Sequence, residues 1–204
     1  MITIIDYGVG NIKAFYNIFK KLSVDVKIAQ KPSDLFESSK LILPGVGHFD
    51  YAMKCFNDSG MRTVVDELVQ GKKIPVLGIC VGMQMMANSS EEGNMSGLGW
   101  IDAKVKKIDS DLLTQTTRLP HMGWNDISVK RTNILLSNLE YNSRFYFLHS
   151  YYFEPNFEND TIALSKYGKE FTCAVNHDNI YGVQFHPEKS HQSGIRLLQN
   201  FSNI

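Results

Sequence analysis

Cysteine is scarce in this chain, and no stretch of it is both long and apolar. Cys55, Cys80 and Cys173 cannot all pair with one another, and their spacing matches neither a zinc site nor a disulfide framework. A reducing compartment and no metal are the expectation. The longest apolar stretch, residues 74–87, is interrupted by Pro75, Gly78 and Gly82, and it falls short of the roughly 20 residues a bilayer-crossing helix needs. Net charge is missing too. With 21 basic against 21 acidic residues, electrostatics give no footing for nucleic acid or an anionic membrane as partner. Met1-Ile2-Thr3-Ile4-Ile5-Asp6 enters a strand pattern at once, leaving no room for a cleavable leader, so a cytoplasmic location is expected. No repeat, low-complexity tract or linker interrupts the 204 residues, which are expected to form one domain, 1–204.

What is there is a change of rhythm along the chain. In the first half, short apolar runs at 2–5, 24–29, 41–43 and 74–77 read as strands. Helical spacing over 11–22 (Ile12, Phe15, Tyr16, Phe19) and 61–69 fills the gaps between them. That alternation predicts an α/β fold of three layers, a largely parallel sheet with crossover helices on both faces. In the second half, strands expected at 103–108, 126–130, 145–148, 162–166, 171–175 and 180–185 have few helices between them. They predict an antiparallel or mixed extension of the same sheet, closed by a helix near 194–201. Residues 91–94 and 154–160 read as exposed loops.

The strand at 74–77 runs straight into Gly78-Ile79-Cys80-Val81-Gly82, and a helix pattern begins with Met83-Gln84-Met85. A side chain on a sharp strand-to-helix turn stands at the carboxyl edge of a sheet, where the first helical N–H groups favour a thiolate and a developing oxyanion. Two readings of Cys80 stand open on these residues alone, a nucleophile and a buried thiol between packing glycines.

Tyr181-Gly182-Val183-Gln184-Phe185-His186-Pro187-Glu188 ends an apolar strand in a histidine and a carboxylate two residues apart. In extended chain those side chains share a face, so Glu188 can orient the His186 imidazole. A cysteine with a histidine base held by a third group is the general arrangement for thiol catalysis. By itself, His-Pro-Glu also fits a surface turn. His191 follows at a ligand-like distance, but no further cluster completes a metal set. Pro44-Gly45-Val46-Gly47 ends the strand at 41–43 and can present backbone N–H groups as an oxyanion hole, or form an ordinary strand-to-helix turn. Neither it nor Gly8-Val9-Gly10 completes a dinucleotide or phosphate-loop pattern.

Leu43-Pro44-Gly45-Val46-Gly47, Gly78-Ile79-Cys80-Val81-Gly82-Met83-Gln84 and Val183-Gln184-Phe185-His186-Pro187-Glu188, in that order, resemble the class I (triad-type) glutamine amidotransferases. Asp6-Tyr7-Gly8-Val9-Gly10-Asn11, His121-Met122-Gly123-Trp124-Asn125 and His149-Ser150-Tyr151-Tyr152 narrow the resemblance. With them the whole chain is similar to the glutaminase subunits of imidazole glycerol phosphate synthases. The resemblance implies a flavodoxin-like three-layer fold and a catalytic set of Cys80, His186 and Glu188. It implies oxyanion donors at Val81 and at Gly45 and Val46, glutamine contacts from Gln84, Ser150 and Tyr151, and no cofactor. On local sequence Gln84 could equally cap or pack a helix, and His149 could be a structural histidine.

The same resemblance implies that ammonia passes to a separate (β/α)8-barrel cyclase/synthase subunit, a lyase complex of histidine biosynthesis. His121, Met122, Trp124 and Asn125 in a loop, with Lys189 and 6–11, would face that partner, although Trp124 alone reads equally well as core. A neighbouring resemblance, to paralogous subunits supplying ammonia to sugar amidotransferases of surface-polysaccharide synthesis, is carried by Cys80-Val81 and by residues 88–93. A third reading keeps the fold as an inactive regulatory subunit, and the complete triad argues against it.

Overall fold

The computed structural model describes residues 1–113, 118–139 and 143–204. The first strand, β1 (Ile2–Ile5), is buried at every position, as an Ile-Thr-Ile-Ile run with no polar face requires. Helix α1 (Ile12–Lys21) follows, turning Phe15 and Phe19 inward and ending on Lys20 and Lys21, whose charge suits a helix C-terminus. Then come β2 (Val26–Ala29), β3 (Lys40–Gly45), α2 (Phe49–Asp58), α3 (Arg62–Asp66), β4 (Val76–Cys80) and α4 (Val81–Met85). The chain continues through β5 (Ser89–Ser90), β6 (Ala103–Lys107), β7 (His121–Asp126), β8 (Ser128–Val129), β9 (Arg144–His149) and β10 (Tyr151–Pro155). It closes with β11 (Thr161–Tyr167), β12 (Lys169–His177), β13 (Ile180–Val183) and α5 (His191–Ser202).

Among the described residues, eleven strands form one sheet in the order β2-β1-β3-β4-β13-β12-β10-β6-β5, with β11 against β12 and β8 against β11. Pairing is parallel from β2 to β13 and antiparallel through β12, β10 and β6. Helices flank the sheet: α1 packs on β1, β2 and α5, whereas α4 packs on β3, β4, β13 and α2. The fold class is therefore the expected one.

Register matters most for function. Gly45 pairs with Cys80, and Val183 pairs with Ile79, so the carboxyl ends of β3, β4 and β13 lie side by side. The segments just beyond these ends, at 46–47, 81–84 and 184–188, therefore emerge at one sheet edge, the usual place for a site in such folds.

Several boundaries differ from the sequence reading. His121–Asp126 is a strand and not a loop; it pairs antiparallel with β9 in a separate two-stranded ribbon. Its sequence alternates inside and outside, but Gly123 and the polar ends conceal the strand pattern. The strand expected at 126–130 is divided: Asp126 ends β7, and Ser128–Val129 forms the short β8. Phe49–Asp58 is a full helix that buries Phe49, Ala52, Met53 and Phe56. The helix expected over 61–69 is α-helical to Asp66, then winds as a π-helix over Glu67–Gly71. Within 154–160, β10 runs on to Pro155 and Asp160 is buried.

Candidate active site

Cys80 ends β4 and immediately precedes α4 with φ 54° and ψ −113°, a left-handed backbone uncommon for a residue with a side chain. Such a conformation costs on the order of 1–3 kcal/mol and persists only where the surroundings enforce it. The flanking glycines do the enforcing through space, not through their own torsions. A Cβ on Gly82 would lie 2.0 Å from the Leu43 carbonyl oxygen, and one on Gly78 would lie 2.8 Å from the Gly82 carbonyl oxygen. Only bare backbone lets α4 approach β3 this closely. Cys80 is 3% exposed, with Sγ 3.8 Å from the Leu148 carbonyl oxygen and Gln184 Nε2 donating to it at 3.7 Å.

His186 comes from the segment after β13. Its backbone N–H donates to the Tyr146 carbonyl at 2.8 Å, and its carbonyl accepts from Ser190 Oγ at 2.6 Å. Ser190 Oγ in turn accepts from the Tyr146 N–H at 3.0 Å, so ribbon strand β9 clamps the turn on both sides. Nδ1 of His186 lies 2.9 Å from Glu188 Oε1, with both side chains almost wholly buried. Burial alone would push the imidazole pKa down. Hydrogen bonds to Cys80 and Glu188, with the attraction of their charge, outweigh that and raise it to about 10. The ring is thus an imidazolium at neutral pH, facing sulfur on one side and carboxylate on the other. Glu188 Oε2 is buried with no partner among the described residues.

These groups open onto a cleft of about 300 Å³. Val46, Gly47, Val81, Gln84, Ser150, Tyr151 and Lys189 line it together with Cys80 and His186, so most of the residues singled out in the sequence converge. Gly45 does not reach the cleft: it is locked in β3 opposite Cys80, where its Cβ would meet Gly82 N at 2.3 Å. The half-exposed Val46 and the open Gly47, at φ +85°, form the wall instead.

Of the residues expected to face a partner, Met122 and Trp124 are on the surface, 65% and 39% exposed. They stand opposite Leu148 and Tyr146 across the ribbon. Trp124 stacks flat on His191 at 5.1 Å, and Lys189 Nζ lies 5.5 Å above the Tyr146 ring. His121 lies elsewhere. It points inward, 3% exposed, between the rings of Phe147 and Tyr167. Asn125 also turns to this inner side and donates to the Lys166 carbonyl at 2.9 Å.

The structure adds residues at or behind the cleft wall to those singled out in the sequence, Pro120 and Leu148 among them. Glu92, in a segment read as exposed loop, lines the cleft and accepts the Phe49 N–H at 2.8 Å. Gln184, wholly buried, bridges Gln84 and Cys80. His149 contributes a ring to the wall. An acidic residue shortly after an elbow helix was the available signal for Glu92; Gln184 and His149 are visible there only once distant strands meet. No group of three or more histidine, cysteine or carboxylate residues able to hold a metal is found among the described residues. No helix there is long and apolar enough to cross a membrane.

The Glutamine amidotransferase class-I family matches residues 3–203. The imidazole glycerol phosphate synthase subunit HisH of Leptospira interrogans is 55% identical over 204 residues, with both chains covered completely. That of Bdellovibrio bacteriovorus is 52% identical over 204 residues, again with complete coverage of both. Among solved structures, a putative GMP synthase subunit from Thermoplasma acidophilum superposes with a TM-score of 0.73 at 24% identity, covering 99% of this chain and 92% of that one. A structure described as a glutamine amidotransferase gives 0.75 at 18% identity, covering 100% and 99%. At such identities the structures bear on the fold alone.

Proposed function

The chain belongs to the class-I glutamine amidotransferase family, and we propose that it is the glutaminase subunit of an imidazole glycerol phosphate synthase, acting in the cytoplasm. The observation that carries the chemistry is Cys80 on its strained turn beside an imidazolium held by Glu188.

In this reading glutamine lies in the cleft with its side-chain amide at Cys80 and its α-ammonium toward Glu92, the carboxylate in the wall. Gln84, Ser150 and Tyr151 contact the rest of it. The Cys80 thiolate attacks the amide carbon, and the resulting oxyanion is met by the Val81 N–H, a free first-turn donor, and by the peptide at Gly45-Val46. His186 gives its proton to the departing nitrogen, so the C–N bond breaks, ammonia leaves and a thioester to Cys80 remains. The ring then takes a proton from an incoming water, whose oxygen attacks the thioester carbon; glutamate is released and Cys80 regenerated. Glu188 keeps the ring oriented throughout.

Ammonia is mostly protonated near neutral pH and is then no nucleophile, so it has to be delivered directly. The recipient in this reading is a (β/α)8-barrel subunit. It docks on the apolar surface of Met122, Trp124 and Leu148, with Lys189 and Asn125 close by, and the ammonia serves histidine biosynthesis. The names borne by the relatives favour this over a sugar amidotransferase of polysaccharide synthesis, and glutamine hydrolysis is common to both.

The test is co-purification with each candidate barrel, followed by glutamate release from glutamine with and without that barrel's substrate. Stimulation by the imidazole-forming barrel and abolition by Cys80→Ala are expected. Stimulation by the sugar-modifying partner alone would move the protein to the other pathway, and no glutamate release from any complex would leave the inactive regulatory reading.

A further inference from the structure

Two buried histidines, His149 in the cleft wall and His121 behind it, are assigned nothing by the proposed reaction. His149 Nδ1 lies 2.8 Å from the Tyr151 carbonyl oxygen, which can only accept, so Nδ1 carries the proton. His149 Nε2 lies 3.0 Å from His121 Nδ1. Burial and the neighbouring ring keep His149 neutral, so its Nε2 accepts and His121 Nδ1 donates. His121 Nε2 is then left to accept, and Asn125 Nδ2 stands 3.2 Å from it. The Asn125 amide is fixed in turn, since the same nitrogen donates to the Lys166 carbonyl and Oδ1 accepts the Asp126 N–H at 2.9 Å. Two backbone carbonyls, one at each end, thus dictate both tautomers and the direction of every hydrogen bond between them.

The chain of bonds does not stop at Tyr151. Its carbonyl accepts a second hydrogen bond from Gln84 Nε2 at 3.0 Å, and that nitrogen donates again to Gln184 Oε1 at 3.0 Å. Gln184 Nε2 reaches the Cys80 sulfur. An unbroken series therefore runs from Asn125 through His121, His149, Tyr151 O, Gln84 and Gln184 to the nucleophile. Its far end lies on the inner side of β7, the strand whose outer side presents Met122 and Trp124.

We propose that His121 and His149 are positioning residues: their one-way hydrogen-bond relay fixes the Tyr151 carbonyl, and through it the Gln84 and Gln184 amides at Cys80, to the placement of strand β7. Whatever moves β7 then moves the amides that face the substrate. The inference rests on the glutaminase reading given above.

The experiment compares labelling of Cys80 by a glutamine-shaped diazoketone, which has to occupy the cleft, with labelling by iodoacetamide, which only needs the thiol. The intact chain is used, alone and with its barrel partner, as wild type, His149→Phe, His121→Phe and His149→Asn. Phenylalanine keeps the ring volume and removes the relay; asparagine keeps a donor near the Nδ1 position. Loss of one oriented hydrogen bond to the carbonyl is expected to slow diazoketone labelling about tenfold in the phenylalanine variants. Iodoacetamide labelling should stay within about twofold, and His149→Asn should recover most of the diazoketone rate. Glutaminase assays should show the loss chiefly in KM. A histidine pair that merely satisfies the core predicts lower thermal stability with an unchanged ratio of the two labelling rates. That result, or a His149→Asn chain as slow as His149→Phe, would overturn the proposal. Failure of the glutaminase reading would look different, with the wild type itself refusing the diazoketone.

Discussion

The hydroxyl of Tyr7 donates to the carbonyl of Pro44 at 2.6 Å, tying the loop after β1 to the end of β3. Both groups are buried, and the Tyr7 hydroxyl also reaches Met85 Sδ at 3.4 Å. Burial drives the phenol pKa far up, so it remains a donor at any working pH. The bond holds the peptide directly upstream of Gly45-Val46, confining any backbone rotation at the cleft wall to the residues beyond it.

Tyr7→Phe should therefore lose about 1–3 kcal/mol of stability, because the Pro44 carbonyl is left buried and unpaired. In a chain of this size that is a melting point lower by about 2–4 °C per kcal/mol. Glutamine hydrolysis at saturation should fall several-fold while KM holds. An unchanged melting point and kcat would mean that the wall is held by something else.

His186 makes stability depend on alkaline pH. Its folded-state pKa of about 10 lies above the ordinary value of 6.5, so the folded chain binds the extra proton more tightly. The resulting stabilisation is fully present below about pH 6.5 and is lost as pH rises toward about 10, with a slope of at most about 1.4 kcal/mol per pH unit. Urea unfolding at pH 7 and pH 10 measures it. Glu188→Gln, which removes the facing charge but keeps the shape, should flatten this limb. It should also cost about a hundredfold or more in kcat. An unaltered limb would show that Glu188 does not hold the imidazolium.

The histidine pair acts at the opposite end of the scale. Burial lowers the His149 pKa to about 3, aided by His121 and His186, and burial lowers that of His121 to about 4. The groups facing them are each other, the Asn125 amide, the Tyr151 carbonyl, His186 and the Tyr167 ring, none of them an anion. Unfolded histidines take up protons near pH 6.5, so stability present above that pH drains away as pH falls toward 3. His121→Phe and His149→Phe should each make the acid limb shallower by up to about 1.4 kcal/mol per pH unit between pH 6 and 4. Identical acid limbs in wild type and variants would rule this out.

Trp124 bears on the partner. It is half-exposed, lies flat on His191 and adjoins Met122 and Leu148, an aromatic centre of the kind that dominates interfaces. Trp124→Ala is expected to weaken binding of the barrel partner by about 2 kcal/mol or more, read by titration calorimetry. Melting of the isolated chain should fall only modestly, since within the chain the ring loses chiefly its stacking on His191 and its edge contact with Tyr146. Unchanged affinity would place the docking surface elsewhere.

Local pattern carried much of this molecule. Ile2–Ile5 reads as a buried strand because its one polar residue, Thr3, stands between isoleucines and gives it no polar face, and the Gly-Ile-Cys-Val-Gly turn announces itself through its glycines. The bond between the Gln84 and Gln184 side chains has no such local sign. Gln84 and Gln184 are 100 residues apart and meet only because β13 is inserted beside β4, a topological fact with no local signature. Strand β7 was missed for the opposite reason: its inward residues, His121 and Asn125, are polar, so alternation of burial does not show as alternation of hydropathy. Its inner face is satisfied by hydrogen bonds together with stacking of the His121 ring on Phe147 and Tyr167.

Gly82 and Gly47 separate two reasons for glycine at the site. At Gly82 the backbone torsions are ordinary, but an added Cβ would meet the Leu43 carbonyl oxygen at 2.0 Å and its carbon at 2.9 Å, neither of which is a flexible side-chain tip. Gly82→Ala must push α4 off β3, and overpacking of this kind costs about 1–3 kcal/mol or more. The elbow that holds Cys80 would open with it, so melting point and glutaminase rate should fall together. At Gly47 a Cβ meets nothing within 4 Å, but φ is +85°. Gly47→Ala should lower the melting point only slightly, by the equivalent of about 1 kcal/mol of torsional strain. Its effect should appear in the rate, because the strained loop relaxes toward negative φ and takes the Val46 peptide with it. A Gly47→Ala chain with wild-type partner-stimulated hydrolysis would show that this loop does not need its left-handed turn. A Gly82→Ala chain that melts like wild type would show that α4 can yield where the backbones touch.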